Sequence, residues 1–351
     1  MQTTYLNTAA SGLLPSAFTT AANKLYADLA ANASTRAEKC RDEELPVIRQ
    51  QVAACLGADT RNIALIPNFS WGMNAIVHSL KGNEKVLMYA PDYPSLLEPF
   101  RINNFDITWV HDTDGFTIPV EEIKQKLVAE KINILAISHV QWMSGYKIDL
   151  ADLGAFCRQH NILFIVDATQ SFGAIPINLA ELDIDVLITS NYKWMNAGFG
   201  TGVMYVNNRF LETYTPAVGG NNSYTIKDGK PVYEPGILSF EPGHPNMYGF
   251  TVLGAAIQDK MQRGIEHIEA HNKMLTQMLI DEVAGLNVTL IGEPSVANRA
   301  SIIFLKDENG LWAKLNEHGI VCSQRGNVRI SMHYYNTVDD IRSLVKVLKE
   351  I

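Results

Sequence analysis

Residues 162–206 read "ILFIVDATQSFGAIPINLAELDIDVLITSNYKWMNAGFGTGVMYV" and hold three short apolar runs separated by polar, glycine-bearing segments. The runs "ILFIVD" (162–167), "DVLITS" (185–190) and "GVMYV" (202–206) are apolar nearly throughout instead of alternating, the pattern of strands covered on both faces. Asp167 closes the first run, so its carboxylate is expected at the carboxyl edge of a sheet; taken alone, such an aspartate is more often a plain helix N-cap. Lys193 comes just past the next run, one crossover later, and the two side chains are expected to open into one crevice. An ammonium between Tyr192 and Trp194 can be partly desolvated, which lowers its pKa and frees a nucleophilic amine, although a lone lysine more often snorkels over its aromatic neighbours. Gly198, Gly200 and Gly202 permit close backbone approach, but they precede a strand instead of leading from a strand into a helix. A dinucleotide fingerprint is thereby excluded.

Working outward, similar runs recur at 62–67, 85–91, 106–110 and 133–140, with helical spacing of apolar residues at 120–130 and 150–160. This alternation predicts an α/β fold with a mostly parallel, seven-stranded sheet covered by helices, and ligands beyond the carboxyl ends of the strands. After about residue 245 the pattern changes to a long helical stretch (247–285), strand candidates at 287–292 and 299–305, and closing helices. A large domain over 15–245 is expected, with 1–14 and 246–351 forming a smaller α+β domain.

With 351 residues, 47% of them hydrophobic, the chain can cover a sizeable core. The net charge is -8 and no Lys/Arg block appears, which argues against a nucleic-acid groove or an anionic membrane surface as partner. No run approaches the roughly 18 apolar residues of a membrane span, and no basic and apolar leader opens the chain; a cytoplasmic protein is expected. The four cysteines show no CxxC spacing; Cys40, Cys55 and Cys157 read as buried free thiols, and no metal site is expected. His267 and His271, four apart, read as a solvated helix face and not as a zinc pair, because no Glu directly follows the first His and no third ligand is evident.

A lysine amine and an aspartate aimed at one crevice suit pyridoxal phosphate, which needs a Schiff-base lysine and an acid at its pyridine nitrogen. "PNFSWGMNAI" (67–76) follows a strand and opens a helix, so Ser70, Trp71 and Gly72 could supply a hydroxyl and N–H groups to a phosphate, or simply cap the helix. Tyr93 in "APDYPS" (90–95) is the candidate aromatic over the ring, with a core or turn tyrosine as the plainer reading. His139 closes a strand and could face the same place.

At these residues the chain resembles the class V aminotransferase group of fold type I pyridoxal-phosphate enzymes, which includes cysteine desulfurases, selenocysteine lyases and kynureninases. "YLNTAASGLLP" is similar to the group's N-terminal substrate loop, which implicates Ala10 and Ser11 in substrate binding. "VDATQSFGA" resembles its Asp-x-x-Gln-Ser stretch, implying that Asp167 pairs with the pyridine nitrogen and Gln170 reaches the ring hydroxyl. "SNYKWMNAGFGTGVMYV" resembles the Schiff-base segment, which makes Lys193 the cofactor lysine and gives Ser190 and Tyr192 phosphate contacts. "FEPGHPN" (240–246) resembles a stretch that reaches the phosphate of the neighbouring subunit, with His244 in place of the usual threonine; a homodimer with shared sites is implied. "NVRISMHYYNTVDDI" (327–341) resembles the segment whose arginine, here Arg329, holds the substrate carboxylate. Three departures stand out. The segment 319–331 is too short for the desulfurase cysteine loop, with Cys322 lying earlier in a strand candidate; Tyr192 stands where desulfurases carry histidine; and Trp142 stands where many relatives place an asparagine. The resemblance implies an aminotransferase acting on an amino acid, or alternatively a lyase cleaving at Cβ; a non-catalytic protein of the same fold is the least favoured reading.

Overall fold

The computed structural model describes residues 3–350. The central sheet contains seven strands: β1 (Ile63–Ile66), β2 (Lys85–Tyr89), β3 (Asp106–Val110), β4 (Ile134–Ser138), β5 (Leu163–Asp167), β6 (Val186–Ser190) and β7 (Gly202–Val206). In space they run β1-β7-β6-β5-β4-β2-β3, parallel everywhere except at β7, which is antiparallel to both neighbours. The expected mostly parallel, seven-stranded sheet is therefore present. Every residue of β1, β4, β5 and β6 is buried, which is why these runs are apolar without alternation.

Helices cover both faces: α1 (Thr20–Ala31), α2 (Leu45–Leu56), α3 (Phe69–Ser79), α4 (Pro94–Ile102), α5 (Val120–Ala129) and α6 (Leu150–Gln159). One apolar cluster joins Leu65, Leu87, Leu135 and Leu187 to α2 and α6; the other joins Ile66, Met88, Ala136 and Ile188 to α3 and α4. Successive strand residues thus feed opposite layers. Each fully buried aliphatic side chain contributes about 1.5–3 kcal/mol, so the two layers fix the sheet and with it the position of its carboxyl edge.

The helical stretch expected over 247–285 is two helices, α7 (Met247–Arg263) and α8 (Ile265–Val283). They break at Gly264, whose φ of +79° no regular helix accepts. A second sheet follows, of β8 (Ile302–Leu305), β9 (Ser323–Gln324) and β10 (Val328–Ser331), with β10 in the middle. The strand expected over 287–292 reduces to a single bridge, Leu290 to Leu305. Helix α9 (Val338–Leu348) closes the chain and opens with a capping box between Thr337 and Asp340. The N-terminal arm lies on this part of the molecule: Thr4 and Tyr5 pair in parallel with Ile320 and Val321, and Leu6 enters its apolar cluster.

Cys40 and Cys157 are buried as expected, whereas Cys55 is only partly covered, on the edge of α2. His267 is exposed, but His271 is half-buried with Nε2 against the Asn336 carbonyl at 2.9 Å, so only one of the pair faces solvent. Among the described residues no cluster of three metal-ligating side chains forms, and no helix is long and apolar enough to cross a membrane.

Candidate active site

Strands β5 and β6 run side by side, with Asp167 opposite Ile188, so both release the chain at the same edge of the sheet. Lys193 sits in the loop between β6 and β7. Gly202 at the return must be glycine, because a Cβ there would lie 2.6 Å from the Thr189 carbonyl oxygen; Gly198 and Gly200 instead take φ of +71° and +81°. Asp167 and Lys193 are both buried, at 5% and 6% exposure. The Asp167 carboxylate accepts a 2.8 Å bond from the Thr169 N–H, and burial nevertheless pushes it well above the usual carboxylate range. Burial likewise pulls the Lys193 amine far below the ordinary lysine value, against the opposing pull of Asp167 and with the help of Arg329 and Arg325. The two groups thus feel each other without a direct ion pair. Lys193 Nζ lies 5.4 Å from the Tyr93 ring centre and 5.7 Å from that of Tyr192.

Arg329 comes from β10, the central strand of the second sheet, and is 2% exposed. Its Nη1 donates to the Trp142 carbonyl at 2.6 Å and Nη2 lies 3.5 Å from Ser323 Oγ, while Nε is buried with no partner. No carboxylate pairs with it among the described residues, and burial lowers it to about 10. A buried guanidinium with an orphan N–H and no acid is costly unless an anion arrives. Its free N–H is the kind of group that pairs with a carboxylate.

Around these groups the other expected residues fall in different places. Tyr93 packs edge-on against Trp142 with ring centres 5.5 Å apart, and the Trp142 ring lies 5.9 Å from the Arg329 guanidinium carbon, so the departure at Trp142 is part of the site wall. Tyr192 stacks on Phe199 at 4.7 Å. Gln170 is engaged at both ends, donating to the Ala9 carbonyl at 3.1 Å and accepting from Trp194 Nε1 at 2.7 Å. Ser190 Oγ accepts from the Phe69 N–H at 2.9 Å and so ties the Lys193 strand to the start of α3. At that start the cup expected from Ser70, Trp71 and Gly72 narrows to Ser70. The Trp71 N–H is taken by Asn68 Oδ1 and the Gly72 N–H by the Asn68 carbonyl, while Gly72 is small because Ile66 and Ile188 pack over it. The Ser70 hydroxyl bonds Ser95 Oγ at 2.8 Å.

Ala10 and Ser11 belong to a tight turn closed by their N–H groups on the Asn7 carbonyl, with the Ser11 carbonyl held by the Tyr5 hydroxyl at 2.6 Å. His244 is exposed and lines a surface cleft of about 570 Å³ together with Arg49, Trp71 and Glu241; Lys193, Asp167 and Arg329 are not among its lining residues. Glu241 of the same stretch forms a half-buried ion pair with Arg49 and accepts from the Leu65 N–H at 2.6 Å, so its place in "FEPGHPN" is structural. His139 is buried with Nδ1 unpartnered, and burial drops it to about 3, so it is neutral at any ordinary pH.

Two residues of the site escaped the sequence. Asp92 is buried and accepts three bonds, from Ser138 N–H (2.9 Å), Ser138 Oγ (2.5 Å) and Tyr93 N–H (2.7 Å). Burial raises it, and its charge acts on Asp167. The available signal was an acid just beyond a strand end, the same one that marked Asp167. Gly12 is the other: its N–H donates to the Tyr192 carbonyl at 2.9 Å, and a Cβ would fall 1.9 Å from the Lys193 carbonyl oxygen. Nothing local distinguishes that glycine, because the contact spans 181 residues of chain (193 minus 12).

A buried lysine and aspartate thus lie at the sheet edge, with an acid-free arginine from the second sheet within electrostatic reach of the lysine. The family model for class V aminotransferases matches residues 4–344, and the chain belongs to that family. It is 23% identical to a probable cysteine desulfurase of Pyrococcus abyssi, over 99% of this chain and 94% of that protein. It is also 23% identical to the uncharacterized aminotransferase YcbU of Bacillus subtilis, over 86% and 82%. The fold superposes with a TM-score of 0.90 on the cysteine desulfurase of Thermococcus onnurineus (22% identity, 99% and 94% covered). The same score relates it to the cystine C-S lyase C-DES in complex with its product cysteine persulfide (21% identity, 100% and 98% covered).

Proposed function

We propose that the protein is a pyridoxal-phosphate enzyme that transaminates an amino acid, with Lys193 as the cofactor lysine, Asp167 facing the pyridine nitrogen and Arg329 binding the substrate carboxylate. The observation that carries this reading is the buried Lys193 amine, held near neutrality beside a buried acid and within reach of a guanidinium that lacks an acid of its own. The donor set fits the cofactor: an amine, an acid, aromatic walls at Tyr93 and Tyr192, and Ser70 with Ser190 at the start of α3. When bound, pyridoxal phosphate supplies an electron sink for charge that develops at the substrate α-carbon. The chain does the rest. Lys193, its amine pulled down to about 7 by burial, offers a lone pair as nucleophile and later as base at the α-carbon. Asp167, raised by burial, holds its proton or shares it with a facing nitrogen. Arg329 fixes the carboxylate through the N–H it leaves unpaired. Tyr93 and Trp142 exclude water from one wall.

Cleavage at Cβ is the second reading, and it is favoured by the relatives named as cysteine desulfurases. Against a route with an enzyme persulfide stands Cys322: it is buried, its thiol is pushed up to about 12, and the turn from Ser323 to Val328 contains no other cysteine. The proposal extends to a cytoplasmic homodimer in which His244 serves the partner's site, supported by the exposed apolar residues Leu13, Leu14 and Phe199 beside the Lys193 loop and by the cleft that holds His244. It also takes residues 15–245 as one domain and 1–14 with 246–351 as another, supported by the separate apolar cluster that joins Leu6 to Leu275, Ile330 and Leu344.

The test is direct. Protein mixed with pyridoxal phosphate should turn yellow, and borohydride should bleach it and fix the label on a peptide containing Lys193. A colourless mixture with no labelled lysine would sink the proposal. A panel of amino acids with and without a keto-acid acceptor then separates the readings: acceptor-dependent keto-acid formation supports transamination, and sulfide or alanine release without acceptor supports Cβ cleavage.

A further inference from the structure

Lys260, on α7, is completely buried. Its Nζ donates to Asn196 Oδ1 at 2.7 Å, lies 3.0 Å from His333 Nε2 and sits 3.7 Å from the Tyr334 ring centre. No carboxylate lies within ion-pair distance among the described residues; the adjacent acid, Asp259, is paired with Arg263 at 2.8 Å. Both hydrogen-bond partners lead to the loop that carries Lys193. Asn196 lies in that loop, bonds through its own N–H to the Lys193 carbonyl at 3.2 Å and donates from Nδ2 to the Leu13 carbonyl of the N-terminal arm at 2.9 Å. His333 Nε2 also lies 2.8 Å from the Trp194 carbonyl oxygen, and His333 Nδ1 lies 3.2 Å from Asn272 Nδ2.

The protons in this cluster follow from donor and acceptor chemistry. The Trp194 carbonyl can only accept, so His333 carries its proton on Nε2, and Nδ1 accepts from Asn272. Lys260 therefore faces an N–H and not a lone pair. An ammonium there would point a hydrogen at the His333 N–H with no acceptor, whereas an uncharged amine shares that one N–H with the Trp194 carbonyl as a second acceptor, donates to Asn196 and presents its remaining hydrogen to the Tyr334 face. We propose that Lys260 is a positioning residue for the Lys193 loop, acting as an uncharged amine that ties Asn196 and His333 together beneath it. Every charged or titratable group around it agrees with that state or is already matched. Arg263 and Asp259 on its own helix neutralise each other, Cys55 on α2 and Tyr334 are neutral, and His271 on α8 bonds the Asn336 carbonyl. Burial drives both Lys260 and His333 toward their neutral forms.

This inference rests on Lys193 being the cofactor lysine, and the experiment has one arm independent of that reading. A lysine neutral in the folded chain and charged in the unfolded chain makes stability rise with pH, tenfold in the folding equilibrium per unit, up to the ordinary lysine value near 10.4. In cofactor-free protein, Lys260→Met and Lys260→Gln should each lose one such tenfold-per-unit slope between pH 7 and 10, measured by urea unfolding. A slope equal to that of the unsubstituted protein in both variants would overturn the proposal. The second arm measures the rate at which pyridoxal phosphate and borohydride label Lys193 as a function of pH. Lys260→Met, which can neither donate nor accept, should move the labelling midpoint upward by half a unit or more, a threefold or greater loss of rate at pH 7. Lys260→Gln, which can do both, should restore it. A merely space-filling lysine would leave the midpoint of the Met variant unmoved, and that result overturns positioning. If the unsubstituted protein labels at no lysine, the proposed function fails, and the unfolding slope still decides whether Lys260 is neutral.

Discussion

Lys193 and Lys260 are both buried lysines without a paired carboxylate, the first within the β6–β7 loop and the second packed against that loop. Burial pushes both amines down, yet their surroundings differ. Lys193 has Asp167 within electrostatic reach and no hydrogen bond from Nζ among the described residues, so its lone pair is free. Lys260 has its polar contacts with Asn196 and His333 closed and an aromatic face over what remains. Desolvation alone therefore makes a neutral lysine; a reactive one also needs an unoccupied lone pair and an acid held near, but not against, it. The contrast is what separates the two proposed roles, chemistry at Lys193 and support of its loop at Lys260.

The largest expected effect breaks the comparison outright. Lys193→Ala should lower turnover by about 10³-fold or more and abolish borohydride labelling, while the far-ultraviolet circular dichroism stays unchanged; labelling that persists on another lysine would transfer the role. Next, Arg329→Lys should reduce kcat/KM by about 10–100-fold, mostly through KM, because a point charge cannot reproduce the guanidinium's planar fork. A KM unchanged under steady-state assay would show that the anion site lies elsewhere. Gly12→Ala probes the arm that crosses the Lys193 loop: with a Cβ 1.9 Å from the Lys193 carbonyl oxygen, a loss of about 1–3 kcal/mol in urea unfolding is expected.

Asp167→Asn gives the smallest effect and tests the electrostatic difference itself. Burial raises the Asp167 carboxyl in the folded chain, so the folded state binds more protons than the unfolded one between pH 4 and about 7. Stability from this group is complete at low pH and is lost as pH rises through that window. The variant, free of the penalty, should be more stable than the unsubstituted cofactor-free protein at pH 8, with the gap closing toward pH 4. An equal difference at both ends would mean that Asp167 titrates normally.

Much of the fold was legible because its signals are local. Strands buried on both faces must be apolar throughout, and the seven runs matched seven strands, from Ile63–Ile66 to Gly202–Val206. Asp167 and Lys193 were legible for the same reason: a strand end is a place in the sequence, and neighbouring parallel strands bring their ends together. Gly264 was missed because one glycine inside an otherwise periodic helix changes the pattern too little to mark a break. The strand expected over 287–292 failed because apolar residues alone do not supply a hydrogen-bonding partner. What the sequence could not show at Trp71 and Gly72 is that Asn68 engages both of their N–H groups, through its side chain and its carbonyl.

By itself, then, the sequence determined the layered sheet, its carboxyl edge and the amine and acid placed there, since each depends on residue type and spacing within one element or two neighbouring ones. Tertiary structure alone decided that Arg329 from the second sheet comes within electrostatic reach of Lys193, that Gly12 must carry no side chain, and that Lys260 and His333 close beneath the loop. Those contacts join residues far apart in the chain, and their energies come from desolvation and hydrogen-bond matching, which exist only once the folded surroundings have excluded water.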